Sequence, residues 1–206
     1  ALGSAYFKMN KFQEALEPLT QAVAIDPKAD DGYYLLGFAN LNMEKYGPAL
    51  DFINKALAIN PSDVKSLTLR SRYHLKAGNP AAAVEDASKA LSLDPKSADA
   101  LFHRGAAHFS QGDFGRAVAD LNAAVELSPE HLMARVYRGS AYAKQGNYDL
   151  AAADFNFAIF TDPKLMDGFF GLGFVYYMQG RLDEALVQID RALELSKTLP
   201  AFSRAH

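Results

Sequence analysis

Five histidines and three paired arginine and aspartate positions are the residues of this 206-residue chain whose types could do chemistry. His74 and His108 stand 34 residues apart, and His103 lies five before His108. Converging imidazoles, with a carboxylate, could hold a metal ion. The preferred reading has His74 and His108 each replacing a half-buried tyrosine with one hydrogen bond, because Tyr6, Tyr142 and Tyr176 fall on the same spacing. Arg70, Arg104 and Arg138 also recur every 34 residues, each followed 16 residues later by an aspartate, Asp86, Asp120 or Asp154. Where leucine replaces the arginine, at Leu2, Leu36 and Leu172, the aspartate is gone as well, giving Pro18, Phe52 and Gln188. Columns that switch together predict a partly buried guanidinium–carboxylate bridge between paired or neighbouring helices. Binding of an acidic partner is the alternative use of these arginines.

Other chemistries lack their parts. There is no Cys, hence no disulfide, thiolate nucleophile or thiolate metal ligand. No glycine-rich phosphate loop follows a strand, and no nucleophile stands beside a base. The expectation is a chain that is not an enzyme, with no catalytic residues, no cofactor and no metal.

The 34-residue spacing runs through the whole sequence. Prolines recur at Pro27, Pro61, Pro95, Pro129 and Pro163. Alanines recur at Ala15, Ala49, Ala83, Ala117, Ala151 and Ala185, and again seven residues later from Ala22 to Ala192. Glycines recur at Gly3, Gly37, Gly105, Gly139 and Gly173, with Ser71 as the only stand-in. A fixed period of this size specifies a stacked array whose units bury their apolar faces only against one another. The expected organisation is one solenoid over 1–206, with a partial unit at 1–29 and full units at 30–63, 64–97, 98–131, 132–165 and 166–199. Residues 200–206 form a tail or the start of a further unit.

Each unit divides into a first helix (30–43, 64–77, 98–111, 132–145 and 166–179), a turn and a second helix. Gly78, Gly112, Gly146 and Gly180 mark turns that suit a left-handed helix end, where the first two units place Asn10 and Glu44. The Asp-Pro or Asn-Pro step then stops the second helix. Pro48 and Pro80 fall at second-helix starts, where proline is tolerated, whereas Pro18 lies deeper and is expected to bend its helix. The small-residue columns let helix axes approach closely. The second-helix column Val23, Leu57, Leu91, Val125, Ile159 and Leu193 is expected to be core.

This pattern resembles the tetratricopeptide repeat family. The unit 30–63 carries Tyr33, Leu36-Gly37, Ala49, Ile53, Ala56 and Pro61 at the family's spacing, and the likeness covers essentially all 206 residues. The resemblance implies an all-α, right-handed superhelical solenoid of antiparallel helix pairs, with protein–protein recognition in a groove lined by first helices. Carried onto this sequence, the groove positions include Tyr34, Leu35, Phe38, Leu41, Thr68, Leu69, Arg72, Leu75, Phe102, His103, Ala106, Phe109, Val136, Tyr137, Ser140, Ala143, Phe170, Gly171, Phe174 and Tyr177. Their aromatic and apolar content suits an apolar or amphipathic peptide or helical segment. The chosen contact residues are Tyr34, Phe38, Leu41, Arg72, Phe102, His103, Phe109, Tyr137, Phe170, Phe174 and Tyr177. Charges at the rims, Asp31, Asp99 and Asp167 against Lys8, Lys76 and Lys144, are what helix dipoles favour without any ligand. Two known groove chemistries of the family are missing. Tyr34, Phe38, Leu69 and His103 occupy places that a carboxylate clamp needs, and Leu35, Leu69, His103, Tyr137 and Gly171 replace an asparagine ladder.

Composition sets the remaining limits. Half the residues are apolar, 22% are charged and the net charge is -3, which argues against a nucleic-acid surface. The longest apolar run, 168–178, is far short of the roughly 20 residues that cross a bilayer. A Cys-free chain suits the cytoplasm, the first expectation, and a periplasm also. The chain begins within a first helix and stops just inside a seventh unit, so a longer protein is expected. Two alternatives stand beside the interaction module. One is a structural subunit whose groove or ends mediate self-association, and the other is the docking arm of an enzyme encoded outside this stretch.

Overall fold

A computed structural model describes residues 2–198. Among them the backbone forms α1 (Leu2–Lys8), α2 (Phe12–Ile25), α3 (Asp30–Asn42), α4 (Tyr46–Ile59), α5 (Val64–Lys76), α6 (Pro80–Leu93), α7 (Ala98–Ser110), α8 (Phe114–Leu127), α9 (Leu132–Lys144), α10 (Tyr148–Thr161), α11 (Met166–Met178) and α12 (Leu182–Thr198). Odd-numbered helices are the first helices of the repeats and even-numbered ones the second. Residues 199–206, including the tail assigned to 200–206, lie outside the described part.

Helix boundaries follow from local chemistry. Asp63, Asn79 and Asp113 accept from the backbone N–H three residues on and cap α5, α6 and α8. His131 caps α9 in the same way, its Nδ1 accepting from Ala134 at 3.1 Å. Pro80 opens α6 at a position where no donor is lost. Each first helix ends in one motif. The Asn79 N–H reaches the His74 carbonyl at 2.8 Å, and Asp113, Asn147 and Arg181 reach His108, Tyr142 and Tyr176 at 2.9 Å. Such a closure needs a left-handed residue just before the donor. Gly78, Gly112, Gly146 and Gly180 supply it at φ of 73° to 80°, and Asn10 and Glu44 adopt it at 56° and 58°. The helix α2 continues through Pro18 from Phe12 to Ile25.

The chain divides into two compact units, residues 1–107 and 108–206. Within each, first helices pack on their own second helices, α1 on α2, α3 on α4 and α5 on α6, then α9 on α10 and α11 on α12. Second helices pack in turn on the following first helix, α2 on α3 and α4 on α5, then α8 on α9 and α10 on α11. Successive first helices also touch, α1 with α3 and α3 with α5 in one unit and α9 with α11 in the other, whereas these units' successive second helices stay apart. Each unit therefore curves inward on its first-helix side.

Close approach within a pair explains the glycine column. A Cβ on Gly37 would lie 2.7 Å from Ile53 and 3.4 Å from the Ala49 carbonyl, and one on Gly173 would lie 3.2 Å from the Ala185 carbonyl. Ser71 fits because its hydroxyl donates to the matching carbonyl, Ala83, at 2.8 Å. In the register of Ile53 its repeat has the smaller Ala87. The cores are sequential: Ala15, Leu19, Val23 and Leu36 in the first unit, and Val136, Ala151, Phe155, Ala158, Leu172 and Val175 in the second.

Two core expectations need correction. Val23, Leu57, Leu91 and Val125 are buried, but Ile159 is only half-buried and Leu193 is exposed. This column packs on the next repeat's first helix: a Cβ on Gly32 would meet Val23 at 2.5 Å, and one on Gly168 would meet Ile159 at 3.0 Å. Among the described residues no helix follows α12 to cover Leu193, which is 53% exposed. Ala22, alone in its column, is exposed as well. In an antiparallel pair it lies opposite the start of the first helix, and α1 is only 7 residues long.

Candidate functional site

On the inner face of the first unit, α3 and α5 project Tyr34, Phe38 and Arg72. Phe38 is the centre: Phe7 packs edge-on at 5.0 Å, Phe12 lies at 6.0 Å and Tyr34 at 6.2 Å between ring centroids. The Arg72 guanidinium sits 5.5 Å from the Phe38 ring and its Nη2 donates to Asn42 Oδ1 at 3.0 Å. Burial lowers the Arg72 pKa, opposed by the charges of Tyr34 and Asp99. Burial, and next the field of Asp63, holds the Tyr34 hydroxyl above its ordinary value. This arrangement is an aromatic ledge with one orientable cation, fit for an apolar side chain beside a carbonyl or carboxylate. Leu41 belongs to the interior and offers no surface, as do Thr68, Leu69 and Ala106. Phe102 and His103, adjacent on α7, are half-buried with ring centroids 4.8 Å apart.

In the second unit, the end of α7 with α9 and α11 presents Phe109, Tyr137, Phe170, Phe174 and Tyr177. Phe109 packs edge-on against Tyr137 at 5.7 Å. Lys144 Nζ lies 5.6 Å from the Phe174 ring. Phe170 and Tyr177, on one face of α11, are exposed. Val136 and Ala143 are buried. Between them Gly171 has a half-buried backbone that a Cβ could not share, because Phe155 Cε1 would lie 2.3 Å away. Phe155 thus fills from α10 the space that a groove side chain occupies elsewhere. Burial raises the Tyr137 pKa, helped by the charge of Asp167. Surrounding protein bulk likewise raises the Asp167 carboxyl, although its side chain still reaches solvent.

The arginine and aspartate columns meet as the sequence predicts. Arg70 grips Asp86 with Nε to Oδ2 at 2.8 Å and Nη2 to Oδ1 at 2.7 Å, and Arg138 grips Asp154 at 2.7 and 2.6 Å. Their third nitrogen reaches back to the preceding repeat, Nη1 donating to Asn54 at 3.1 Å and to Asn122 at 3.0 Å. Sequence reasoning missed this second tie. It also missed Arg135, whose guanidinium lies 3.7 Å from the Phe157 ring and 3.6 Å from Asp154. These side chains join helices and are not available to an acidic partner. His74 and His108 belong to the same clusters, their Nε2 atoms 3.5 Å from Asp86 and 3.9 Å from Asp120. Among the described residues no three His, Asp or Glu side chains gather as metal ligands would.

A sequence profile described as tetratricopeptide repeat matches residues 68–131, 108–165 and 137–200, and related profiles match 3–43 and 30–63. The chain belongs to the tetratricopeptide repeat family. Comparison with curated proteins gives no match. Among solved structures, the thermophilic tetratricopeptide repeat protein TTC0263 of Thermus thermophilus is 26% identical, with a TM-score of 0.71 over 82% of this chain and 93% of that one. YrrB, described as a repeat protein with an unusual peptide-binding site, is 22% identical, with a TM-score of 0.65 over 89% and 94%. The Cut9–Hcn1 structure from the APC/C is 18% identical, with a TM-score of 0.89 over 98% of this chain and 40% of that one. The fold is thus an all-α helical-repeat solenoid, a scaffold typical of protein–protein interaction. Among the described residues no helix is long and apolar enough to cross a membrane.

Proposed function

We propose that this tetratricopeptide repeat chain is a non-catalytic scaffold that holds an apolar or amphipathic segment of another protein against its first helices. The observation that carries this reading is the exposure of Phe170 and Tyr177, seven residues apart on one face of α11, beside the half-buried Phe174. Exposed aromatic side chains in a row mark contact surfaces, because covering them with a partner removes a large apolar area from water. In the second unit Phe109 and Tyr137 extend this surface, and in the first unit Tyr34, Phe38, Arg72, Phe102 and His103 form a first-helix surface of their own. Leu41 drops out because it is buried. The peptide-binding relative YrrB supports the reading by analogy of fold.

The experiment is selection of binding peptides from a random displayed library on the whole chain, followed by affinity measurement on a Phe170→Glu/Tyr177→Glu variant. Both residues are outside the core, so circular dichroism should stay unchanged. A loss of tenfold or more is expected, the size typical of removing central aromatic anchors. Equal affinity in a folded variant would sink the proposal.

A further inference from the structure

Helix α10 is apolar on every side, although one side of it faces solvent. Its inner face joins the core through Ala151, Phe155 and Ala158. Its outer face carries a second apolar stripe, Leu150, Ala153, Phe157 and Phe160. Leu150 and Phe160 are exposed at 53% and 87%, Ala153 is exposed, and Phe157 is half-buried against the Arg135 guanidinium. A helix that is apolar all round belongs in an interior. Every other second helix carries charge in these four columns, as Glu17, Asp51, Glu85, Arg116 and Arg191 show. The stripe is not an open end of the array, because α10 is already packed between α9 and α11.

The spacing of three, four and three residues along the stripe is that of a coiled-coil seam. Laid antiparallel on a second α10, with a twofold axis level with Phe155, the seam sets Leu150 against Phe160 and Ala153 against Phe157. Each layer then pairs a smaller side chain with a phenyl ring, which fills space evenly. A parallel pair would set Ala153 on itself and Phe157 on itself, emptying one layer and crowding the next. The same axis lays α8 beside its own copy. Exposed Arg116, which also meets Asp113 at 3.2 Å, then stands opposite exposed Glu126. On α12 the axis brings Glu184 opposite Glu194, but each of these already holds a neighbouring arginine, Arg181 or Arg191. Second helices lie on the outer side of the second unit's curve, so α10, the middle one of three, meets another body first.

We propose that a second copy of this chain docks on the outer face of α10, the two helices running antiparallel about a twofold axis. The contact is self-complementary and closes at two copies, so it builds a dimer and not a fibre. It leaves the first-helix faces of both copies open and presents two of them to one target. It does not depend on what those faces bind.

Sedimentation velocity of the whole chain, from low micromolar to submillimolar concentration, is the first test. A monomer–dimer equilibrium is expected. Leu150→Glu/Phe160→Glu, both exposed and so compatible with folding, should abolish the dimer at every concentration. Leu193→Glu on α12 and Phe170→Glu/Tyr177→Glu on α11 should dimerise like the parent. The chain has no Cys, so single cysteines report the register. Asn156→Cys, at an exposed position beside the axis, should form an intermolecular disulfide on mild oxidation with air and copper phenanthroline. Ala153→Cys should not, because the antiparallel register shifts it about 6 Å along the helix from its counterpart. A chain that stays monomeric, or a dimer that survives Leu150→Glu/Phe160→Glu, overturns the proposal. So does crosslinking through Ala153→Cys in place of Asn156→Cys. Loss of the dimer with Leu193→Glu would place the contact at the α12 end and overturn it as well.

Discussion

Replacing Arg70 with leucine tests the bridge that ties repeats together. The change leaves Asp86, only 5% exposed, without the two charge-assisted hydrogen bonds that hold its oxygens at 2.7 and 2.8 Å. Stripping one partner from a fully buried pair costs about 3 to 5 kcal/mol. Arg70 itself is 28% exposed, so water weakens the pair, and about 2 to 3 kcal/mol is expected. For a chain of this size that is roughly 4 to 12 °C in Tm. The sequence supplies the compensating change, since the second repeat has Leu36 and Phe52 in these two columns. An Arg70→Leu/Asp86→Phe double variant should therefore recover to within about 1 kcal/mol of the parent, because no buried charge remains. Thermal and urea melts followed by circular dichroism give the totals. Amide hydrogen exchange in α5 and α6 shows whether the loss is local, as stacked repeats require. A single variant as stable as the parent, or a double variant as damaged as the single, would refute the reasoning.

Other consequences follow from the same geometry. Gly146→Ala forces a side chain to φ of 80° at the closure of α9, and should cost about 1 to 2 kcal/mol in a urea melt. Gly171→Ala drives a methyl into Phe155 and should cost about 1 to 3 kcal/mol, with Phe155→Leu in the same chain restoring part of it. Burial, opposed by Asp86, sets the His74 pKa below its ordinary 6.5. The neutral ring is thus favoured in the fold, so its contribution is complete above about pH 6.5 and fades as pH falls towards the lowered value. His74→Tyr, the residue found at Tyr142, should flatten stability against pH in that window. Arg70→Leu should raise the His74 pKa in an NMR titration, since Arg70 is one of the charges that lower it.

Much of the fold is legible in the sequence because each repeat imposes the same steric demands. The limits given for the first helices agree to within one residue, since a left-handed residue and proline act locally. The Arg70–Asp86 and Arg138–Asp154 bridges are legible because a stranded charge forces both columns to change together. The tie to Asn54 and Asn122 is not, because asparagine also stands at Asn156, opposite Leu172. Burial of a column such as Val23 to Leu193 depends on the neighbour that covers it, which residue type does not encode. The inner face was legible only as a set of positions. Leu41 turns inward, and Phe155 reaches through from the second-helix layer to fill the place above Gly171. A one-dimensional pattern carries neither fact.

Gripping of partners by first helices, and not by the outer layer, is tested most directly by photo-crosslinking. One photoreactive amino acid is placed at Tyr177 and, in a separate protein, at Phe160. Both side chains are exposed, the first on α11 and the second on α10. After irradiation with a selected, labelled peptide, crosslinking at Tyr177 with little at Phe160 is the predicted result. Crosslinking at Phe160 with none at Tyr177 would contradict the account.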